Sequence, residues 1–195
     1  MPSRHEDSCP VAGPRFWPYP RVVERILLDQ VIETDYGQFD LAWDGGIGFD
    51  GDFDRVFAGQ VNGLVGAAHP GGVYLNLAHR GGAPMRIVLC DSPPDDEPSY
   101  QDVVEVSVEI PPAADVRWMS WAGENEGVLS DLAAGAYRLR VSARDRDSGW
   151  DPNSVEAAVN AYLLQFWPAP VEPDAIIRVG GKEAEYWHRE VGNRR

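Results

Sequence analysis

Cysteine is almost absent: Cys9 and Cys90 are the only two in 195 residues. One pair makes no disulfide framework, and neither sits at zinc-ligand spacing. Reduced thiols and a cytoplasmic location are the expectation. Lysine is scarcer still, Lys182 standing alone beside 16 arginines. With abundant Ala, Gly, Asp and Val, that bias fits a GC-rich bacterial genome. No apolar run approaches the roughly 20 residues of a membrane helix. Met1–Arg25 carries no apolar stretch of the signal-peptide kind. His5, His69, His79 and His188 are far apart, and none pairs with Cys, Asp or Glu at ligand spacing. Neither a Gly-x-Ser-x-Gly elbow nor a His-Glu-x-x-His helix is present. Paired carboxylates suit a glycosidase, but 31 acids make any chosen pair arbitrary. No catalytic residue, metal or cofactor is assigned.

Positive charge is also in short supply. Lys plus Arg is 17 against 31 Asp plus Glu, for a net charge of −14. Phosphates are repelled by such a chain, which argues against direct nucleic-acid binding and suits a basic protein partner. What the chain does have is a core: 44% hydrophobic and 10% aromatic residues exclude a fully disordered polymer. At this length one domain is the default, burying roughly 70% of its unfolded surface.

Period-two patterns run through the sequence. Residues 1–20 form a Pro-rich tail with no apolar period. Ile26 to Glu33 is rich in branched aliphatics. Phe39, Leu41 and Trp43 then alternate with Gln38, Asp40 and Ala42, as in a half-buried strand. Val56 to Val65 is ambiguous between short helix and strand. Residues 73–79 and 85–90, around Gly81-Gly82, predict a hairpin. In 103–110 the alternation puts Val104, Val106, Val108 and Ile110 inward and Glu105 and Glu109 outward. Trp118 and Trp121 mark a short strand at 116–121. Tyr137, Leu139 and Val141 alternate in 136–143, and Tyr137 stands where a sandwich tyrosine bonds back to the preceding loop. Residues 159–167 are apolar on both faces, as a central strand is. A last short strand is expected at 176–179 and one or two helical turns at 182–190. The expected fold is all-β: an antiparallel β-sandwich of about eight short strands with a short C-terminal helical turn. Its domain spans 21–180, between the tail at 1–20 and a tail or short helix at 181–195.

Three local patterns invite chemistry. Gly46-Ile47-Gly48-Phe49-Asp50-Gly51 has the letters of a dinucleotide fingerprint, but Asp44, Asp50 and Asp52 repel pyrophosphate and no clear helix follows. Asp50-Gly51-Asp52-Phe53-Asp54 begins like a calcium loop, yet Arg55 and Val61 stand where Gly and Glu are needed. Of the tryptophans at 43, 118, 121, 150 and 167, only Trp150 looks loop-borne and free to stack on a sugar.

The acid excess is regional. Residues 31–115 hold 15 acids and only Arg55, Arg80 and Arg86, whereas 116–195 hold 12 acids and ten bases. Glu33–Asp54 and Asp91–Asp115 contain no base at all. Such runs form a solvated face or meet a cationic partner. The candidate partner-binding residues are Asp50, Asp52, Asp54, Asp95, Asp96 and Glu97, with Glu105 and Glu109 as second choice.

Three stretches carry a family resemblance: Asp35-Tyr36-Gly37-Gln38-Phe39-Asp40-Leu41, Ser130-Asp131-Leu132-Ala133-Ala134-Gly135-Ala136-Tyr137-Arg138-Leu139, and Ala161-Tyr162-Leu163-Leu164-Gln165-Phe166. An early Tyr-x-Gln-Phe strand, a Gly-x-Tyr approach to a late strand and a closing Tyr-apolar-apolar strand resemble the competence-associated, ComJ-like nuclease inhibitors. The resemblance spans Asp35 to Phe166. The Pro-rich leader, the longer Asp/Gly loop and the tail at 180–195 depart from it. It implies a small acidic protein that blocks a nuclease; immunity against a basic toxin implies the same surface. The alternative is a small-ligand or glycan-binding sandwich, calcium-assisted at Asp50–Asp54. Calcium dependence and salt-sensitive association with a cationic protein separate the two.

Overall fold

A computed structural model describes residues 22–43, 48–78, 81–150 and 160–192. The Pro-rich segment 1–20, His5, Cys9, Gly46, Ile47, His79 and the Trp150 side chain lie outside the described residues. In chain order the elements are β1 (Glu24–Thr34), β2 (Gln38–Ala42), α1 (Phe53–Val56), β3 (Val65–Gly66), β4 (Gly72–Asn76) and β5 (Gly81–Cys90). They continue with β6 (Asp102–Ile110), β7 (Arg117–Ser120), β8 (Glu126–Val128), β9 (Gly135–Arg144), β10 (Ala161–Pro168), β11 (Ala175–Arg178) and α2 (Lys182–Glu190). The first sheet runs β1-β5-β10-β9-β6-β11 and the second β3-β4-β2-β7-β8. The chain is therefore all-β, two sheets with a short C-terminal helix. No helix among the described residues is long and apolar enough to cross a membrane.

Alternation decides which face each strand buries. Val104, Val106, Val108 and Ile110 meet Leu139, Val141, Leu164 and Phe166 from their own sheet and Phe39, Leu41, Val73 and Leu75 from the other in one core. β10 lies between β5 and β9, and both of its faces are covered. Tyr162, Leu164 and Phe166 enter the core, while Trp167 packs outside it with Val88 and Cys90. Burial pushes the Cys90 thiol up to about 11, which keeps it protonated and unreactive. The Tyr137 hydroxyl donates to the Ala133 carbonyl at 3.0 Å, as its position in the sequence predicts.

Three expectations need correction. The hairpin expected from 73–79 and 85–90 does not form. β4 pairs with β2 and β3 in the second sheet, whereas β5 pairs with β1 and β10 in the first. Gly81, at φ +103°, and Gly82 instead open β5, where they pair with Thr34 and Glu33 of β1, so the chain passes from one sheet to the other. A local turn signal specifies a reversal and says nothing of which edges are already taken. Among the described residues the sheets hold eleven strands rather than about eight, because β3, β8 and other pieces are only a few residues long. One pairing, β10 with β5, is parallel, so the first sheet is mixed. The ambiguous stretch at 56–65 divides into the end of a single helical turn, α1, and a loop leading to β3.

Candidate binding surfaces

The outer face of the first sheet is built around Glu105. It points away from the core, as expected, but it is not open to a partner. Its two oxygens accept from Arg138 Nε at 3.1 Å and from Arg140 Nε at 2.9 Å. On β9 Arg140 sits opposite it, and Arg138 sits opposite Ser107, two residues along. Arg138 goes on to the Ser107 hydroxyl and the carbonyls of Glu172 and Pro173. Arg140 donates to the carbonyls of Pro94 and Asp95 and lies 5.5 Å over the Trp167 ring. Glu105 thus fixes two cations: Arg140 pins the 91–101 loop across the sheet, and Arg138 holds the segment at 172–173.

That loop presents the carboxylates. Asp95, Asp96 and Glu97 are exposed, and so is Glu109 on β6. Asp96 pairs with Arg178, whose other nitrogen donates to the Tyr100 carbonyl at 2.7 Å. Glu97 accepts from the Ser99 hydroxyl at 3.0 Å. Beneath the loop lies a cavity of about 530 Å³ lined by Glu24, Arg86, Asp95, Glu97, Tyr100 and Gln165. Arg86 is held by Asp29 at 2.5 Å. The cations Arg86, Arg138, Arg140 and Arg178 are thus each taken by a carboxylate. Among the described residues Glu24, Asp95, Glu97 and Glu109 have no cation at ion-pair distance. The face carries a net field of negative sign that short-range pairing does not cancel.

The second acidic loop lies elsewhere. Asp40 and Tyr74 alternate with core residues, so they mark the outer face of the second sheet. Phe49 and Phe53 pack there on Tyr74, with ring centroids at 4.0 and 5.9 Å, and Trp187 of α2 stands 6.1 Å from Phe53. This small aromatic cluster fastens the loop that carries Asp50, Asp52 and Asp54. Asp52 caps α1 by accepting from the Arg55 backbone N–H at 3.0 Å, and Asp50 meets the Arg55 guanidinium at 2.8 Å. The Arg55 hydrogen bond holds the Asp50 carboxyl below its ordinary range. Asp54 is exposed on α1. The loops with Asp50, Asp52 and Asp54 and with Asp95, Asp96 and Glu97 therefore lie on the outer faces of different sheets and form no single surface. Among the described residues no group of three or more His, Cys, Asp or Glu is arranged to hold a metal ion.

Two groups escape the sequence reading. Asp40 is 2% exposed and borders a cavity of about 190 Å³ together with Phe49, Asp50, Arg55, His69 and Tyr74. Burial pushes its carboxyl up to about 6, against the lowering effect of the Gln38 amide at 2.6 Å. It can therefore hold or release a proton near neutrality. Gly48 makes this possible: it has φ +83°, and a Cβ there falls 2.5 Å from Asp40 Oδ2. Tyr74 is driven up by burial and by Asp40. A signal existed, since Gln38 and Asp40 share the face of β2 opposite Phe39 and Leu41.

The other is Arg146, whose NH1 donates to the Asn76 carbonyl at 2.8 Å and the Tyr162 hydroxyl at 3.2 Å. Its Nε meets Glu183 of α2. Asp147 caps the same helix through the N–H groups of Lys182 and Glu183, both at 2.9 Å, and Asp102 accepts from Gly180 and Gly181. At its far end His188 Nδ1 accepts from the Gly63 N–H at 3.0 Å. This network anchors α2.

No family model and no curated protein matches the sequence. Two solved structures are similar to this chain. One is "Crocagin biosynthetic gene J", 14% identical, with a TM-score of 0.49 over 76% of this chain and 99% of the other. The other is ComJ from Bacillus subtilis, an inhibitor of the DNA degrading activity of NucA, at 16% identity and a TM-score of 0.53 over 75% of this chain and 99% of its own. The chain is thus similar to ComJ in fold, the likeness that the Tyr-x-Gln-Phe, Gly-x-Tyr and closing-strand motifs imply.

Proposed function

We propose that this chain is a binding protein that blocks a basic nuclease by occupying its phosphate-binding groove. One observation carries the reading: the outer face of the first sheet keeps exposed carboxylates while its own arginines are spent on internal pairs. Asp95, Asp96, Glu97 and Glu109 are the contacting groups, and Glu105 positions the loop through Arg140. Carboxylates spread over a loop and a strand compete for cationic side chains that otherwise hold DNA phosphates, and they speed encounter by steering. The fold of ComJ, which inhibits the DNA degrading activity of NucA, supports this role. Asp50, Asp52 and Asp54 face the other way and are proposed as a solvated face. The test is a DNA-degradation assay with NucA, and with nucleases of cationic surface, titrated with this protein in low and moderate salt. Stoichiometric, salt-sensitive inhibition supports the reading, and no association with any of them removes it.

A second reading, a small-ligand module, is favoured by the Asp40 cavity alone. It expects a small neutral ligand or sugar to raise the melting temperature, an effect lost in Asp40→Asn. Calcium assistance at Asp50–Asp54 adds that calcium raises it too.

A further inference from the structure

Two tight turns stand side by side at one end of the sandwich. In Asp35-Tyr36-Gly37-Gln38 the Gln38 N–H returns to the Asp35 carbonyl at 3.4 Å, and Tyr36 and Gly37 have φ of 58° and 63°. In Trp121-Ala122-Gly123-Glu124 the Glu124 N–H returns to the Trp121 carbonyl at 3.1 Å, and Ala122 and Gly123 have φ of 53° and 71°. Two successive positive φ values are the pattern of the type I′ turn, whose first central place prefers Asn, Asp or Gly. Here it holds Tyr and Ala, whose Cβ the left-handed conformation disfavours.

What the turns display is an aromatic pair. Tyr36 is 78% exposed and Trp121 38%, and their rings meet at 4.8 Å with an interplanar angle of 47°. The pair packs on itself and leaves its outer faces to solvent. Asn125 stitches the turns together, donating to the Glu33 carbonyl at 3.1 Å while its own N–H reaches the Ser120 hydroxyl at 3.1 Å. Glu33, Asp35 and Glu124 flank the rings in the same segments, all exposed. Among the described residues none of the three has a cation at ion-pair distance.

We infer that Tyr36 and Trp121 form a cradle for a cationic side chain, an arginine or lysine of a protein partner, with Glu33, Asp35 and Glu124 as its countercharge. Ring faces attract a cation through their quadrupole, and the surrounding carboxylates add a field of the same sense. Rigid aromatics at low entropy cost are also the residues that anchor protein interfaces. The inference takes its partner chemistry from the reading above, but it stands or falls on a separate measurement.

The probe is a tri-arginine peptide, with a tri-glutamate peptide and a neutral oligosaccharide as controls, followed by calorimetric titration. Wild type is expected to bind the arginine peptide alone, more weakly as salt rises. Tyr36→Asn, which suits the positive φ and removes the ring, and Trp121→Ala are each expected to weaken binding about tenfold. Unchanged melting temperatures show that both variants fold. Lysine substitutions at Asp95 and Glu97 should leave peptide affinity within about twofold. No binding by wild type, equal binding by the ring variants, or preference for the oligosaccharide overturns the cradle. Nuclease inhibition by wild type that shows no peptide binding overturns the cradle while leaving the nuclease reading intact.

Discussion

Arg146 Nε donates to Glu183 Oε2 at 2.6 Å, and neither side chain exposes more than 5% of its surface. The pair links the turn after β9 to the first turn of α2. Burial disfavours the charged guanidinium, and Tyr162 and Glu183 push its pKa back up, so Arg146 stays charged. Removing one partner strands the other without water. Arg146→Ala is expected to cost about 3–5 kcal/mol and to loosen α2. Glu183→Gln, which can still accept from Nε, should cost less. Urea unfolding and the Trp187 environment in near-ultraviolet circular dichroism report both.

Asp40 acts in the opposite sense. Burial pushes its carboxyl up to about 6 in the fold, from 3.8 in the unfolded chain. Between those values the unfolded chain releases the proton and the folded chain keeps it, so this group lowers stability as pH rises through the window. Above about 6 the loss is complete. Asp40→Asn is therefore expected to stabilise by up to about 3 kcal/mol at pH 7.5 and hardly at all at pH 3.5. Unfolding curves of both proteins at the two values decide it.

His188 contributes with the reverse slope. Burial lowers its pKa, and its Nδ1 accepts from Gly63, a bond that protonation removes. Below about 6.5 the unfolded chain binds a proton that the fold refuses. Stability from this group is complete above that value and is lost as pH falls beneath it. NMR titration should find His188 still neutral when an ordinary histidine is half protonated, and His188→Asn should flatten the acid limb of the stability profile.

Charge reversal separates the two acidic loops. Lysine at Asp95 and Glu97 is expected to weaken association with a cationic nuclease by about tenfold or more at low salt, mostly through the association rate. Lysine at Asp52 on the opposite face should change it by less than about twofold. Equal effects from both loops remove the assignment to the first sheet. Stopped-flow kinetics at two ionic strengths make the comparison.

What was legible in the sequence is what a strand states locally. Val104 to Ile110 alternate and are buried accordingly, the doubly apolar 161–168 stretch is central, and Tyr137 follows its loop by the spacing its hydrogen bond needs. What was not legible depends on residues far apart. β4 and β5 read as neighbours because nothing in them says that β2 and β1 claim their edges. Glu105 reads as an outward acid, and only the register with β9 reveals Arg140 opposite it and Arg138 beside it. Asp40 reads as solvated until Phe49 and Phe53 close over its face. Arg146 and Glu183, 37 positions apart, look like surface charges in a loop and a helix.

The place of β10 has a consequence for synthesis. It joins β1-β5 on one side to β9-β6-β11 on the other, and its parallel partner β5 precedes it by about 70 residues. Until Ala161–Pro168 leaves the ribosome, the first sheet consists of two separate pieces, each with an open inner edge at β5 and β9. Nascent chains then expose the strand edges most prone to mispairing, and the sheet closes late through non-local contacts. A chain stopped before residue 161 should aggregate, while one that completes β10 gains its central pairing in a single step.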